Sequence, residues 1–302
     1  MPVRVSRDHV FFAFSSLLPP AARVRQGEEV TFETHDCFQG QITSERDLIS
    51  SLDWSHVNPA TGPVFVEGAH PGDVLRVDLL EIKVADKSVM VTIPGEGALG
   101  TAITKMETAV LRIENDTLVF KGTRLPVRPM IGVIGVAPAR GEVPNGTPGP
   151  HGGNMDCTLI RQGASLYLRV GVEGALFGAG DLHAGMGDGE IVVCGAETEG
   201  TVRFTAQVVD LPGLPTPFVE NEDTVAVIAA AVTADEAASL ATHRMASFLT
   251  DLVHIPLNEA GMLMSLAGRL AFCQIVDPLK TVRFEFPKSI LADRGFSLRS
   301  PK

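Results

Sequence analysis

Two short stretches hold most of the residue types that can do chemistry in this chain. The first is HGGNMD at His151–Asp156, and the second is GDLHAGMGDGE at Gly180–Glu190. Asp181 and His183 stand two apart, so on a strand both side chains point to one face. A carboxylate and an imidazole converging in this way suit a borderline cation such as zinc. Between His151 and Asp156, Gly152 and Gly153 let backbone approach a ligand closely, with no Cβ to clash. His151, Asp156, Asp181 and His183 together offer nitrogen and oxygen donors, and Asp36 in THDCFQG adds one more.

Each of these patterns also has an ordinary structural explanation. A lone Asp-x-His pair is commonly a surface or hydrogen-bonded pair, and HGGNMD also reads as a turn in which Asn154 and Asp156 bond nearby backbone. GDGE at Gly187–Glu190 reads more readily as a hairpin turn than as a site. His243 and His254 fall on or near a helical stretch and read as packing or surface residues, while His9, His35, His56 and His70 carry little signal singly. Cys157 beside Asp156 is a possible nucleophile, although a lone buried cysteine usually behaves as a small hydrophobe. A Gly-x-Ser-x-Gly elbow is absent, as are phosphate and dinucleotide glycine loops in a strand–helix context.

The elements that must position these residues are mostly short strands. Val30–Thr34, Val64–Glu67, Val74–Ile82, Ala109–Ile113, Leu166–Val170, Ile191–Cys194 and Val202–Val209 are rich in Val, Ile, Leu and Phe and are separated by turn signals. From Thr233 the pattern changes. Apolar residues at Ala237, Leu240, Ala241, Met245, Phe248, Leu249 and Leu252 have helical spacing, and Thr233 with Glu236 forms a capping box. Pro256 opens a second helix expected over Leu257–Phe272, and Val282–Phe286 returns to strand. The expected fold is mainly β, a sandwich or jelly-roll-like body over 1–211. An α+β portion over 212–302 follows, with two helices and a closing strand, and PGLPTP at Pro212–Pro217 is the joint.

Composition narrows the function classes. The chain has 302 residues, 45% of them hydrophobic and 30 of them glycine, enough for a substantial core in one or two compact units. Lys+Arg is 25 against Asp+Glu 36, a formal net charge of −11, which disfavours nucleic acid and anionic membranes as partners. The longest apolar run, Val225–Val232, is far short of the ~20 residues a bilayer crossing needs. Val10–Leu18 has the look of a signal-peptide core, but Asp8 and His9 abut it and no small-residue cleavage site follows, so it reads as part of the fold. Cys37, Cys157, Cys194 and Cys273 lie far apart without pairing motifs, which suits a reduced cytoplasmic protein.

Taken together, the motifs resemble the acetamidase/formamidase family almost end to end. The resemblance is carried by VTFETHDCFQGQI (Val30–Ile42), NPATGPVFVEGAHPGDVLRVDLLEI (Asn58–Ile82), IGVIGVAPARGEVPNGTPGPHGGNMD (Ile131–Asp156), GALFGAGDLHAGMGDGE (Gly174–Glu190) and FPKSIL (Phe286–Leu291). It implies a β-sandwich-like body, a homo-oligomer (a dimer first), and hydrolysis of a short-chain amide to carboxylate and ammonia. It also implies metal, with zinc the first expectation and calcium a possible second ion. Carried over by residue, the implied metal ligands are Asp36, His151, Asp156, Asp181 and His183. Glu142 is the candidate base with Asp156 in reserve, and the N–H groups of Gly152 and Gly153 would serve the developing oxyanion. This chain reads HAGMGDGE where the family is expected to read HAAQGDGE. If position 186 faces substrate, Met186 makes the pocket less polar and favours a larger or more apolar amide; if Met186 packs inward, nothing changes.

Other classes fit parts of the pattern. A thiol amidase using Cys157 would be killed by alkylation, unlike a metal enzyme. A binding module with a closed structural metal would gain thermal stability from metal and release no ammonia. A hydrolase acting on an ester or a cyclic amide also fits, since function resides in the site rather than the fold.

Overall fold

Alternating burial makes strands of most of this chain. Along Gly200–Val209, Val202, Phe204 and Ala206 are buried while Arg203, Thr205 and Gln207 stay partly exposed, which is period-2 amphipathicity. Phe177–His183 and Met130–Gly135 are buried at every position, as strands covered on both faces must be. The computed structural model describes residues 2–298.

Two large sheets result. The nine-stranded sheet runs from Val3–Val5 through Glu29–Thr34, Gly200–Val209, Val74–Val84, Ser165–Arg169, Phe218–Glu220, Thr224–Ala231 and Lys280–Pro287 to an edge at Arg269–Gln274. The eleven-stranded sheet is organised around Phe177–His183, with Met130–Gly135 and then Gly152–Asn154 on one side. Between the sheets lies one core, to which Phe32, Leu75, Val77 and Phe204 contribute from the first sheet and Val64, Ile131, Phe177 and Leu182 from the second. The Phe177 ring sits 5.0 Å from Phe204 and 6.0 Å from Phe32. This is the mainly β sandwich expected.

The helices cover the other face of the nine-stranded sheet. Ala234–Ser247 buries Ala237, Ala241 and Met245 in a second core with Val225, Val227, Phe284 and Phe286. Its start is a full capping box, with Glu236 N–H donating to Thr233 Oγ1 at 3.2 Å and Thr233 N–H donating to Glu236 Oε2 at 3.1 Å. The sheet runs straight across the Pro212–Pro217 joint, because Phe218–Glu220 pairs antiparallel with Ser165–Arg169. The C-terminal portion thus contributes four strands to the common sheet rather than one closing strand. No helix among the described residues is long and apolar enough to cross a membrane.

Two expected elements differ. The second helix ends at Ala267, and Arg269–Gln274 is a strand. Gly268 permits the break: it is the extended C-cap, where a Cβ would lie 2.5 Å from Phe284 Cε1, so the chain can turn against Lys280–Pro287 and the apolar run Leu270–Cys273 alternates along a strand. Ile191–Cys194 forms turns instead of a strand, with Val193 at φ 137°. Its apolar side chains line cavities rather than joining a ladder.

The backbone approaches closely at Gly180, where a Cβ would meet the Pro59 carbonyl oxygen at 2.3 Å and Ala60 Cα at 2.8 Å. Gly180→Ala should therefore force apart the pairing of Phe177–His183 with Ala60–Val66, at about 1–3 kcal/mol. Thermal denaturation should show a Tm lower by at least a few degrees; an unchanged Tm would contradict the packing.

Candidate functional site

The site forms where a sheet changes partners. One edge of Phe177–His183 pairs with Met130–Gly135. On the other edge, residues up to Gly180 pair with Ala60–Val66, while Leu182 and His183 pair with Thr198 and Glu197. The changeover falls at Asp181, which adopts φ 56°. Asp156 and Glu190 also have left-handed backbone, at φ 44° and 47°. Such conformations are costly for these residues and persist only where the surroundings hold them, as they often do at functional sites.

These distortions bring acids together around one imidazole. His183 Nε2 lies 3.0 Å from Glu197 Oε1, 3.6 Å from Asp181 Oδ1 and 3.9 Å from Asp156 Oδ1, all four residues being buried. Ligand atoms of Asp156, His183 and Glu190 lie within 4.8 Å of one another, and so do those of Cys37, Asp181 and Glu197. Glycines make room for them. A Cβ at Gly132 would come within 2.4 Å of both Asp156 Oδ1 and Asp181 Oδ2, and one at Gly195 within 2.5 Å of His183 Nδ1.

The C-terminal portion completes the site. Asp277 accepts a hydrogen bond from Asn154 Nδ2 at 2.9 Å. The loop carrying Glu190 is tied down by Gly189 N–H donating to the Cys273 carbonyl at 2.9 Å. Its Asp188 accepts two bonds from the buried Arg283 guanidinium, at 2.9 and 2.7 Å, and one from Thr158 Oγ1 at 2.7 Å.

Burial leads the electrostatics. It pushes Asp156 well above the usual carboxylate range, and the neighbouring charges of Glu190, Asp181 and Asp277 add to it. Glu197 and Asp277 are raised for the same leading reason. Glu190 is pushed up to about 7 by burial, with the His183 charge opposing. Asp181 differs: burial opposes its charge, but His183 and hydrogen bonds from Glu197 and Cys37 outweigh burial and hold it low. For His183 burial favours the neutral ring, yet Glu197 and Asp181 prevail and hold its proton well above the ordinary imidazole range.

One imidazolium offsets one carboxylate, here Asp181; the other buried acids must be neutralised by protons or by a cation, because uncompensated charge in a dry site is strongly unfavourable. Both Asp156 oxygens, Asp181 Oδ1, both His183 ring nitrogens, Glu190 Oε2 and Glu197 Oε2 are buried without a hydrogen-bond partner. Unpartnered, converging N and O atoms, with the Cys37 sulfur beside them, are the donors a divalent cation such as zinc takes.

Of the residues singled out from sequence, Asp156, Asp181 and His183 meet here. His151 does not: it packs edge-on to Phe14 with ring centroids 5.3 Å apart, its Nε2 unpartnered, and burial lowers its pKa to about 4. Asp36 builds a turn, its Oδ1 accepting the N–H groups of Phe38 at 2.8 Å and Gly40 at 3.1 Å. That turn delivers the next residue, Cys37, to Asp181 and Glu197. Glu142 is exposed on a short ladder paired with Ser15, away from the cluster. Gly152 and Gly153 serve close backbone approach: a Cβ at Gly152 would lie 2.2 Å from the Ile134 carbonyl oxygen, and its N–H is taken by the Gly149 carbonyl at 3.1 Å. Cys157 is fully buried beside Cys273 and Arg283. Sequence reasoning passed over Glu190, Glu197, Cys37 and Asp277. Glu190 lay inside a motif read as a turn, which it also is, since its N–H donates to the Gly187 carbonyl at 3.2 Å.

A cavity of about 400 Å³ opens above the cluster, lined by Asn154, Asp181, Glu190, Glu197 and Asp277 and by apolar residues from the 37–58 and 91–93 segments. Met186 lies outside it. It lines an adjoining groove of about 460 Å³ with Leu111, Leu118 and Leu125, which shares only Glu190 and Cys194 with the first cavity.

Known proteins with this architecture also resemble the chain in sequence. The acetamidase of Bacillus halodurans superposes with a TM-score of 0.96 and 46% identity, covering 97% of this chain and 100% of that one. A predicted acetamidase/formamidase from Thermoanaerobacter tengcongensis gives 0.95 and 45%, covering 98% and 99%. A putative formamidase of Schizosaccharomyces pombe is 26% identical over 253 residues, 63% of this chain and 62% of its own. The chain spans less than two thirds of the length of that relative and of the other curated relatives it matches. The model of the Acetamidase/Formamidase family matches residues 6–145 and 145–212. With most of the body matched and the fold shared end to end, this chain belongs to the acetamidase/formamidase family.

Proposed function

We propose that the protein hydrolyses a primary carboxamide to carboxylate and ammonia at the Asp156–Asp181–His183–Glu190–Glu197 cluster. The observation that carries this reading is a set of unpartnered, buried carboxylates and an imidazole at the base of a cavity, in a member of this family. Asp156, His183 and Glu190 would hold a divalent cation, zinc by their chemistry, and Cys37, Asp181 and Glu197 form a second donor group. When bound, such a cation polarises a carbonyl and lowers the pKa of water to roughly 7.

The protein's own groups account for the rest. An amide NH₂ brings two donors, and Asn58 Oδ1, Asn154 Oδ1 and Glu197 Oε2 are buried acceptors without partners, on residues that line the cavity. They would orient the leaving nitrogen. Glu190 also lines the cavity, and with one carboxylate oxygen given to the cation its other oxygen would take a proton from the attacking water and return it to nitrogen as the C–N bond breaks. Asn154, held by Asp277, keeps its Oδ1 available. Thiol attack by Cys157 has no route to substrate, because that side chain is fully buried and does not line the cavity. All four cysteines are free, which fits a reducing cytoplasm, and a homodimer is the proposed assembly.

Treating the protein with chelator should abolish ammonia release from amides, and zinc should restore it; full activity in metal-free protein would overturn the reading. The choice of base is tested separately. Glu190→Gln should lower kcat by about 10²–10⁴-fold, whereas Glu142→Gln, on its exposed ladder, should change kcat by no more than about twofold. The reverse pattern in steady-state kinetics would return the role of base to Glu142.

A further inference from the structure

The cavity is much larger than a formamide or acetamide. Such molecules have three or four heavy atoms and the bulk of about two waters, ~60 Å³ at ~30 Å³ per water. The cavity measures about 400 Å³, which falls within the ~300–1,000 Å³ range of sites that enclose drug-sized ligands. Its polar lining is the acid cluster with Asn58, Asn154 and, at the exposed side, Glu96. Against these stands an apolar wall in which Phe38, Ile49 and Val91 pack with Ile93 and Val193.

This wall is held in shape. Asn58 N–H donates to the Cys37 carbonyl at 2.7 Å, closing the 37–58 segment on itself. Gln41 clamps Asp53 twice, its Nε2 donating to the Asp53 carbonyl at 3.2 Å and its Oε1 accepting the Asp53 N–H at 2.8 Å. Asp53 in turn caps the short turn Trp54–His56, which sets Trp54 at the mouth, lining the cavity while 58% exposed. No lysine, arginine or histidine lines the cavity among the described residues.

We propose that the preferred substrate is an uncharged primary amide with a bulky branched or aromatic acyl group, seated against Phe38, Ile49, Trp54 and Ile93, rather than formamide or acetamide. The inference rests on the amidase reading above. A one-carbon acyl group leaves this wall wet, whereas a larger one displaces its water, and each added methylene in such a pocket is worth roughly tenfold or more in kcat/KM. An anionic substrate would face the acid cluster with no cationic side chain to receive it.

The test uses zinc-loaded protein with formamide, acetamide, isovaleramide and benzamide, and reads ammonia release. In parallel it reads the fluorescence of Trp54, the chain's single tryptophan. Isovaleramide and benzamide should exceed acetamide in kcat/KM by at least about tenfold, with a saturable change in Trp54 emission. Trp54→Ala should lose about tenfold for benzamide, mainly through KM, and Trp54→Phe should recover most of it. A preference for formamide or acetamide would overturn the inference and leave the amidase reading standing. If no amide releases ammonia, the amidase reading falls, and fluorescence then decides the apolar seat: saturable binding of benzamide supports it, and no binding overturns it.

Discussion

Carboxylates repel one another, and this protein buries Asp156, Asp181, Glu190 and Glu197 around a single imidazole. At the effective dielectric of a protein interior, like charges a few ångströms apart cost several kcal/mol each unless something neutralises them. Proton uptake by Asp156, Glu197 and Asp277 is one response, and a cation is the other. Much of the local architecture exists to hold the acids together despite this cost. Gly132 and Gly195 lack the Cβ that would collide with them, and three acidic residues accept left-handed backbone to point inward.

The sandwich supplies the rigidity that this requires. A strand buried over its whole length changes neighbours at Asp181, so an otherwise continuous ladder opens at one point and side chains can converge there. The nine-stranded sheet bears the second half of the device. Arg283, fully buried on Lys280–Pro287, grips Asp188 and so fixes the loop of Glu190, while Asp277 reaches Asn154 from the same portion of the chain. The site draws on both portions, and their shared sheet holds them together, as a cluster that tolerates only a fraction of an ångström of looseness requires.

Much of the fold was legible because period-2 burial and the Thr233 capping box are local signals. The helix expected to reach Phe272 ends at Ala267 because the residues after Gly268 pair with Lys280–Pro287, a partner distant in sequence. Asp181 and His183 were legible through their spacing, although the strand is kinked between them rather than regular. Glu197 became visible only through its register opposite His183, and Asp277 only through Asn154, so neither leaves a local mark. Cys37 was hidden by its neighbour: Asp36 has the ligand chemistry, but its oxygen is spent on the turn that presents the cysteine. Met186 lines the adjoining groove, while the apolar wall over the acids comes from Phe38, Ile49 and Trp54.

The proposed site needs a cation to balance the buried acids. Anomalous diffraction at the zinc edge, from crystals of the zinc-loaded protein, tests it most directly. The expected result is a peak bonded to His183, Asp156 and Glu190, with any second peak among Cys37, Asp181 and Glu197. No peak at the cluster, or a peak at His151 or Asp36 instead, would contradict it.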